Sequence, residues 1–311
     1  NNTAWMRHQF GEADRWRMPQ EQRAHSWAPM LSVSYDLADN HRLFARYARM
    51  SRFPSLYELT AATGSGGLYG SETVAEYSLK PEKSTNWEVG YNFNFAPHFA
   101  GLRQGDLRLT YYSNKIKNQI DTSNEDGGMI QYDKAISKGV ELQSRLDSGR
   151  FFASFGGTYR LKHMVCDKGI AFKFDYYYQR VPECLEGGFG LSRFFQSLQP
   201  KYSLTLDVGT RFFNEKLELG MRAIHHSKAE RKNYTRMMAL GVGDVYDSSG
   251  KPYSWHAATL LDAYARYRIG KHIDLNFGVT NLANRYYLDP MSSTPVPGPG
   301  RTVTFGIKGR F

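Results

Sequence analysis

No run in this 311-residue sequence approaches the roughly 20 consecutive apolar residues that a membrane-crossing helix requires. The opening NNTAWMRHQFGEADRWR lacks the apolar core of a secretory leader, so the chain is expected to be either not exported or a mature or truncated piece. Cysteine is scarce. Cys166 and Cys184 come without a C-x-x-C or a Cys/His metal spacing, and one disulfide in an oxidising compartment is the simpler reading. Charge of one sign is nowhere concentrated: 40 Lys and Arg are interleaved with 30 Asp and Glu, so the net +10 does not point to nucleic acid as a partner. The glycine-rich TGSGGLYG (63–70) lacks the Lys-Ser/Thr of a phosphate loop, and the aspartates of GVGDVYDSSG (241–250) miss a calcium-loop spacing. Both read as loops, as does STPVPGPG (293–300).

Aromatic residues, by contrast, are abundant, with 21 Tyr and 19 Phe, although mean hydropathy is negative. Period-two alternation reconciles the two. In WEVGYNFNF, Trp87, Val89, Tyr91, Phe93 and Phe95 share one parity against Glu88, Gly90, Asn92 and Asn94. YSLTLDVGTRF and the closing TVTFGIKGRF split the same way. Such alternation is the strand signal. It predicts strands near 3–10, 27–37, 42–49, 84–95, 107–118, 136–147, 151–162, 200–212, 217–226, 257–269, 272–281 and 301–311, about twelve in all.

The connections are sorted by length. Long segments (50–83, 119–135, 163–199, 227–256, 283–299) alternate with short turns (38–41, 96–106, 148–150, 213–216, 270–271). A soluble β-sandwich has no reason to sort loops by sheet end, whereas outer-membrane barrels have short periplasmic turns and long external loops. The reading is therefore an all-β, transmembrane antiparallel barrel with its apolar parity on lipid, in the outer membrane of a Gram-negative bacterium.

Three stretches carry a family resemblance. SRFPSLYELT (51–60) resembles the FRAP-type box, YSLKPEKSTNWEVGYNF (77–93) the NPxL box, and VTNLANRYYLDPMSSTPVPGPGRTVTFGIKGRF (279–311) the closing hairpin of TonB-dependent outer-membrane receptors. The resemblance implies a barrel of about 22 strands, plugged by an N-terminal domain and energised by the TonB complex. Residues 1–311 would be its C-terminal part, without plug or N-terminal strands. Among these receptors the boxes look most like those for haem, haemoglobin or haemophores. The transported ligand would be haem or a ferric chelate, with no permanent cofactor and with a haem-carrier protein as possible partner.

That family usually places a histidine between the boxes, but residues 54–78 contain none. Tyr57, Tyr69 and Tyr77 are the candidates there, since a phenolate can hold haem iron. His163, His225, His226 and His256 fall at external strand ends, and His226 shares the lumen parity of Glu218 and Arg222. The iron-ligand candidates are His226, His256, Tyr69 and Tyr77, with His163 and Tyr253 as further ligand contacts. Tyr176, Tyr177 and Tyr178, in a loop closed by Cys166 and Cys184, suit recognition of a protein or a flat ligand. Arg211, Arg222, Arg266, Arg268, Lys308, Glu88, Glu141, Glu218, Asp207 and Asp262 take lumen parity, as a wet interior requires.

A ferric-siderophore receptor is the alternative within the family. An outer-membrane barrel enzyme and a passive porin are alternatives outside it. The enzyme needs a Ser and a His within reach of each other, and His225 has outward parity while Ser203 faces the lumen.

Overall fold

The computed structural model describes residues 25–61, 79–122, 129–189, 199–230, 234–242, 254–289 and 297–309. Twelve strands form one antiparallel sheet. They are β1 (Met30–Ala38), β2 (His41–Arg52), β3 (Glu82–Asn94), β4 (Gln104–Thr122), β5 (Met129–Asp147), β6 (Phe151–Cys166), β7 (Cys184–Glu186), β8 (Tyr202–Phe212), β9 (Leu217–His226), β10 (Ala258–Ile269), β11 (Ile273–Thr280) and β12 (Thr302–Gly309). The order is a plain meander from β1 to β12, except that β7 pairs with β6 beside the main path. Every strand expected from residue 27 onward is present; the one expected at 3–10 lies outside the described residues.

The apolar parity is the exposed one. Leu31, Val33, Tyr35, Trp87, Val89, Leu109, Leu206, Met221, Phe277, Val303, Phe305 and Ile307 are all exposed. Cross-strand register joins them into a continuous band: Val89 lies opposite Tyr111, Leu206 opposite Ala223, Phe277 opposite Phe305. A water-soluble sheet would cover such a face, so the band belongs against hydrocarbon.

The other parity is polar and paired. Arg211 donates to Glu218 at 2.8 Å and to Asp147 at 2.8 Å, Arg222 pairs with Asp207 at 3.1 Å, and Arg46 with Glu88 at 3.4 Å. The Tyr264 hydroxyl donates to Asp207 at 2.8 Å. Tyr264 fits because Gly220 lies opposite it: a Cβ there would sit 2.2 Å from the ring. Asn92 of β3 and Thr205 of β8 line one cleft of about 1230 Å³, so the sheet curves around this polar face as a barrel wall does.

The sheet does not close on itself. Among the described residues β1 pairs only with β2 and β12 only with β11, and every residue of both edge strands is exposed. Two bare edges cannot stand in lipid, where unpaired backbone groups have no water to satisfy them.

One expectation about loops is corrected. The connection expected at 119–135 shrinks to 123–128, because β4 and β5 run on together through Thr122 and Met129. Above the band these strands turn apolar on both parities (Ile120, Met129, Tyr132, Ala135), so the period-two signal ends before the strands do.

Candidate functional site at the external mouth

The end bearing the long loops is built on β6. Over Phe151–Tyr159 this strand follows the lipid-facing alternation. A bulge then intervenes: Arg160 pairs with Gly139, but Lys162 pairs with Lys138, leaving Leu161 extra. One inserted residue reverses parity. His163, whose odd number would have aimed it at lipid, now shares the face of Arg160. It lies above the roughly 11 residues a tilted strand needs to span the bilayer. Burial, with the Arg160 cation beside it, holds its imidazole down to about 4, so the ring is neutral at physiological pH.

Beyond His163, β6 pairs with β7, and Cys166 lies opposite Cys184 in a formed disulfide. The segment between them folds as a lid. Its helix α1 (Lys168–Phe174) begins at Asp167, whose carboxylate accepts the Ile170 N–H at 2.8 Å and the Asp133 N–H at 3.2 Å. Under the lid is a dry core of Tyr132, Val165, Ala171, Val181, Leu185 and Phe189, joined by Met237 from the following loop. Tyr132 and Phe189 stack at 6.0 Å.

The lid presents an aromatic tip. Phe172 meets Tyr176 edge-on at 4.9 Å, and Tyr176 meets Tyr177 at 5.4 Å. Tyr177 is 86% exposed and Tyr178 73%. Asp175 fixes this turn by accepting from the Arg180 side chain at 2.7 Å and the Arg180 N–H at 2.9 Å, while the guanidinium lies 4.6 Å over the Tyr178 ring. The Arg180 hydrogen bond holds the Asp175 carboxyl below its ordinary pKa. Three tyrosines held rigid and open to solvent are the side chains that dominate protein-recognition surfaces.

Beside the lid, Arg160 donates to the Gln199 side chain at 2.8 Å, the Pro200 carbonyl at 3.0 Å and Ser203 Oγ at 3.1 Å. His226 Nδ1 lies 3.0 Å from the same Oγ. His225 instead reaches Thr259 Oγ1 at 2.8 Å and stacks on Tyr202. A cleft of about 460 Å³ opens here, lined by Arg160, His163, Lys201, Tyr202, His225 and Lys228 among others. His256 is exposed and lines a second cleft of about 230 Å³ with Arg285, Tyr286 and Tyr287; Ala257 lines both.

The candidates are therefore partly gathered. His163 and Arg160 adjoin one cleft, with His226 tied to it through Ser203, and His256 stands in the neighbouring cleft. Tyr57 is exposed on a separate loop, in a short helix (Leu56–Ala61) whose start Ser55 and Glu58 cap reciprocally. Tyr69, Tyr77 and Tyr253 lie outside the described residues. The sequence reading missed Arg160, although it carries the even-numbered lumen parity of its strand. It also tested Ser203 against the wrong histidine: His226 reaches it where His225 does not. That hydroxyl accepts from a guanidinium, which makes it a poorer nucleophile than a catalytic serine needs to be. Among the described residues, no three His, Cys, Asp or Glu side chains are grouped to cage a metal ion.

The family model for the TonB-dependent receptor-like β-barrel matches residues 7–282. The chain belongs to the TonB-dependent receptor β-barrel family. Barrels of this family are outer-membrane proteins of Gram-negative bacteria, which accounts for the exposed apolar band. Among relatives, a hemophilin receptor of Acinetobacter baumannii is 34% identical over 306 residues, covering 92% of this chain and 27% of that protein. A probable hemoglobin and hemoglobin-haptoglobin-binding protein of Haemophilus influenzae is 25% identical, covering 86% of this chain and 26% of its own length. A solved structure of the ferric enterobactin receptor of Pseudomonas aeruginosa superposes with a TM-score of 0.61 at 20% identity, over 92% of this chain and 40% of that one. This TonB-dependent receptor chain thus spans well under half the length of the proteins it matches, two of which are named as receptors and one as a binding protein.

Proposed function

We propose that this chain forms the ligand-capturing C-terminal part of a TonB-dependent receptor that takes up haem iron, from haem itself or from a haemoprotein. The observation that carries the reading is the mouth cleft. It sets a neutral imidazole, His163, beside the cations Arg160 and Lys201 and the aromatic Tyr202, with Glu186 also in the lining and Lys228 held by Glu230 at 2.9 Å. Haem asks for cations for its propionates, a flat apolar wall and a nitrogen ligand for iron, which His163 gives by turning its ring, both of whose nitrogens are buried, into the cleft. The kinship with a hemophilin receptor supports the same ligand and suggests a carrier protein as its source.

In this account the tyrosine tip engages the carrier and the cleft receives the haem. His226 and His256 stand by as further iron ligands. Strands outside residues 1–311 complete the barrel against the bare edges of β1 and β12, with a plug filling the polar lumen. The TonB complex then supplies the energy for passage. Nothing covalent is done to the ligand, so the protein is not an enzyme.

A ferric siderophore is the second reading, because the same cations attract an anionic chelate and a ferric enterobactin receptor shares the fold. Growth separates the two. A strain relying on the intact receptor should grow with haem or a haem-loaded carrier as sole iron source and fail on ferric catecholates. The reverse pattern would establish the siderophore reading.

A further inference from the structure

Two external segments share one support. β3 stops pairing with β4 at Lys83–Lys117, and β6 stops pairing with β5 at Lys134–Cys166, yet β4 and β5 continue together through Thr122 and Met129. Beyond those points the two strands stand as a ribbon with, among the described residues, no strand neighbour on either side. A two-stranded ribbon is marginal in water on its own. What packs on it therefore decides whether it is ordered.

The side chains of the ribbon divide by parity. Met129 joins Leu79, Ile120 and Leu59 in one apolar cluster. Gln131 clamps the same segment, accepting from the Lys80 N–H at 3.0 Å and donating to the Lys80 carbonyl at 2.7 Å. Ile130 and Tyr132 instead belong to the lid core with Val165, Leu185 and Phe189. Asp133 completes the lid side: its carboxylate accepts the Lys168 N–H at 3.1 Å, while its own N–H goes to Asp167. Successive residues of β5 thus hold two different loops. The first of these is tied onward to the helix that carries Tyr57. Glu82 accepts the Ile120 N–H of the ribbon at 2.8 Å with one oxygen and the Arg52 guanidinium at 2.7 Å with the other. Arg52 also donates to Glu58 at 2.8 Å, and Glu58 accepts the Ser55 N–H at the helix start.

We infer that the β4–β5 ribbon is a two-state element coupling the lid to the Leu56–Ala61 helix: the two open and close together, so a partner seated on the tyrosine tip also fixes the helix that bears Tyr57. The reason is the ribbon's marginality. Opening the lid uncovers Ile130 and Tyr132, the ribbon loses one of its supports, and Lys80 and Glu82 lose the groups that hold them. An element whose equilibrium both sites bias is what physical coupling requires. By linkage the effect runs equally in both directions. The coupling needs no particular ligand, so it stands whether the receptor carries haem or a siderophore.

Hydrogen exchange on the intact receptor in detergent tests this from both ends. Cys166→Ala with Cys184→Ala loosens the lid and leaves the ribbon's contacts to residues 79–82 in place. The Lys80 and Ile120 amides, bonded to Gln131 and Glu82, should then exchange about tenfold faster. Arg52→Gln loosens the far side, and the Lys168 and Ile170 amides of the lid should accelerate by a similar factor. Amides within β8–β11 should hold their rates in both variants. Acceleration confined to the lid in the cysteine variant, an unchanged lid in Arg52→Gln, or an equal rise across β8–β11 would overturn the inference. Should the cysteine variant fail to assemble, or its lid exchange at the unaltered rate, Arg52→Gln read at the lid decides the matter.

Discussion

Removing the lid disulfide isolates what the bridge contributes to ligand capture. Replacing Cys166 and Cys184 together by alanine leaves the meander intact but frees a segment whose ends are 18 residues apart. Closing a loop of that length restricts the opened lid by about 3 kcal/mol in the chain-entropy model. At about 1.4 kcal/mol per factor of ten, the lid should open on the order of a hundredfold more often. It should still be closed most of the time, because Val165, Leu185 and Phe189 remain buried beneath it. Hydrogen exchange is the direct assay. The Asp167 N–H bonded to the Glu183 carbonyl and the Gln179 N–H bonded to the Asp175 carbonyl report lid opening, at 2.8 and 2.9 Å in the closed form. Both should exchange up to a hundredfold faster, while amides within β8–β11 keep their protection. Carrier capture should weaken without loss of assembled receptor. Unchanged lid exchange would refute the loop-entropy argument, and equal acceleration across β8–β11 would show that lid and barrel wall open as one unit.

Three further outcomes are expected. Tyr177→Ala combined with Tyr178→Ala should weaken binding of a carrier protein at least tenfold, as loss of exposed aromatic anchors does, while free-haem binding in the same receptor stays within twofold; surface plasmon resonance and absorbance read the two. Arg211→Ala strands Asp147 and Glu218 on the polar face and should cost about 1 to 3 kcal/mol, seen as a lower temperature at which the folded barrel loses its fast electrophoretic mobility. Because Arg180 depresses the Asp175 carboxyl, that contact stabilises the lid fully at and above the ordinary carboxylate range. The Asp175 contribution should therefore be lost only as acid drops below that range, and comparison with Asp175→Asn isolates it from buried Asp167, whose raised carboxyl pKa acts in the opposite sense.

How much of this was legible in the sequence follows from what each segment faces. Where one face meets lipid and the other a wet lumen, alternation names every strand, and Val303, Phe305 and Ile307 against Thr302 and Thr304 are read without ambiguity. Above the membrane the external segments pack on β4–β6, the lid on Tyr132 and Val165 and Leu79 on Ile120. Ile120, Tyr132 and Val165 then break the alternation, and the strand ends were placed too low. The disulfide could be foreseen from two cysteines without a metal spacing. The bulge at Leu161 could not, since no glycine or proline marks it, yet it alone decides that His163 faces inward. The Ser203–His226 contact was within reach of parity but needed the register of β8 on β9, which the shared lumen parity of the two residues did not by itself supply.

The measurement that bears most directly on the central claim is an absorbance titration of the intact receptor in detergent with haem, free and carrier-bound, repeated after His163→Ala, His226→Ala and His256→Ala singly. A saturable Soret shift, altered by at least one of these replacements, is the predicted result and would place the haem iron at the external mouth. No shift at micromolar haem in either form would contradict the account and leave the mouth cleft to a ferric chelate.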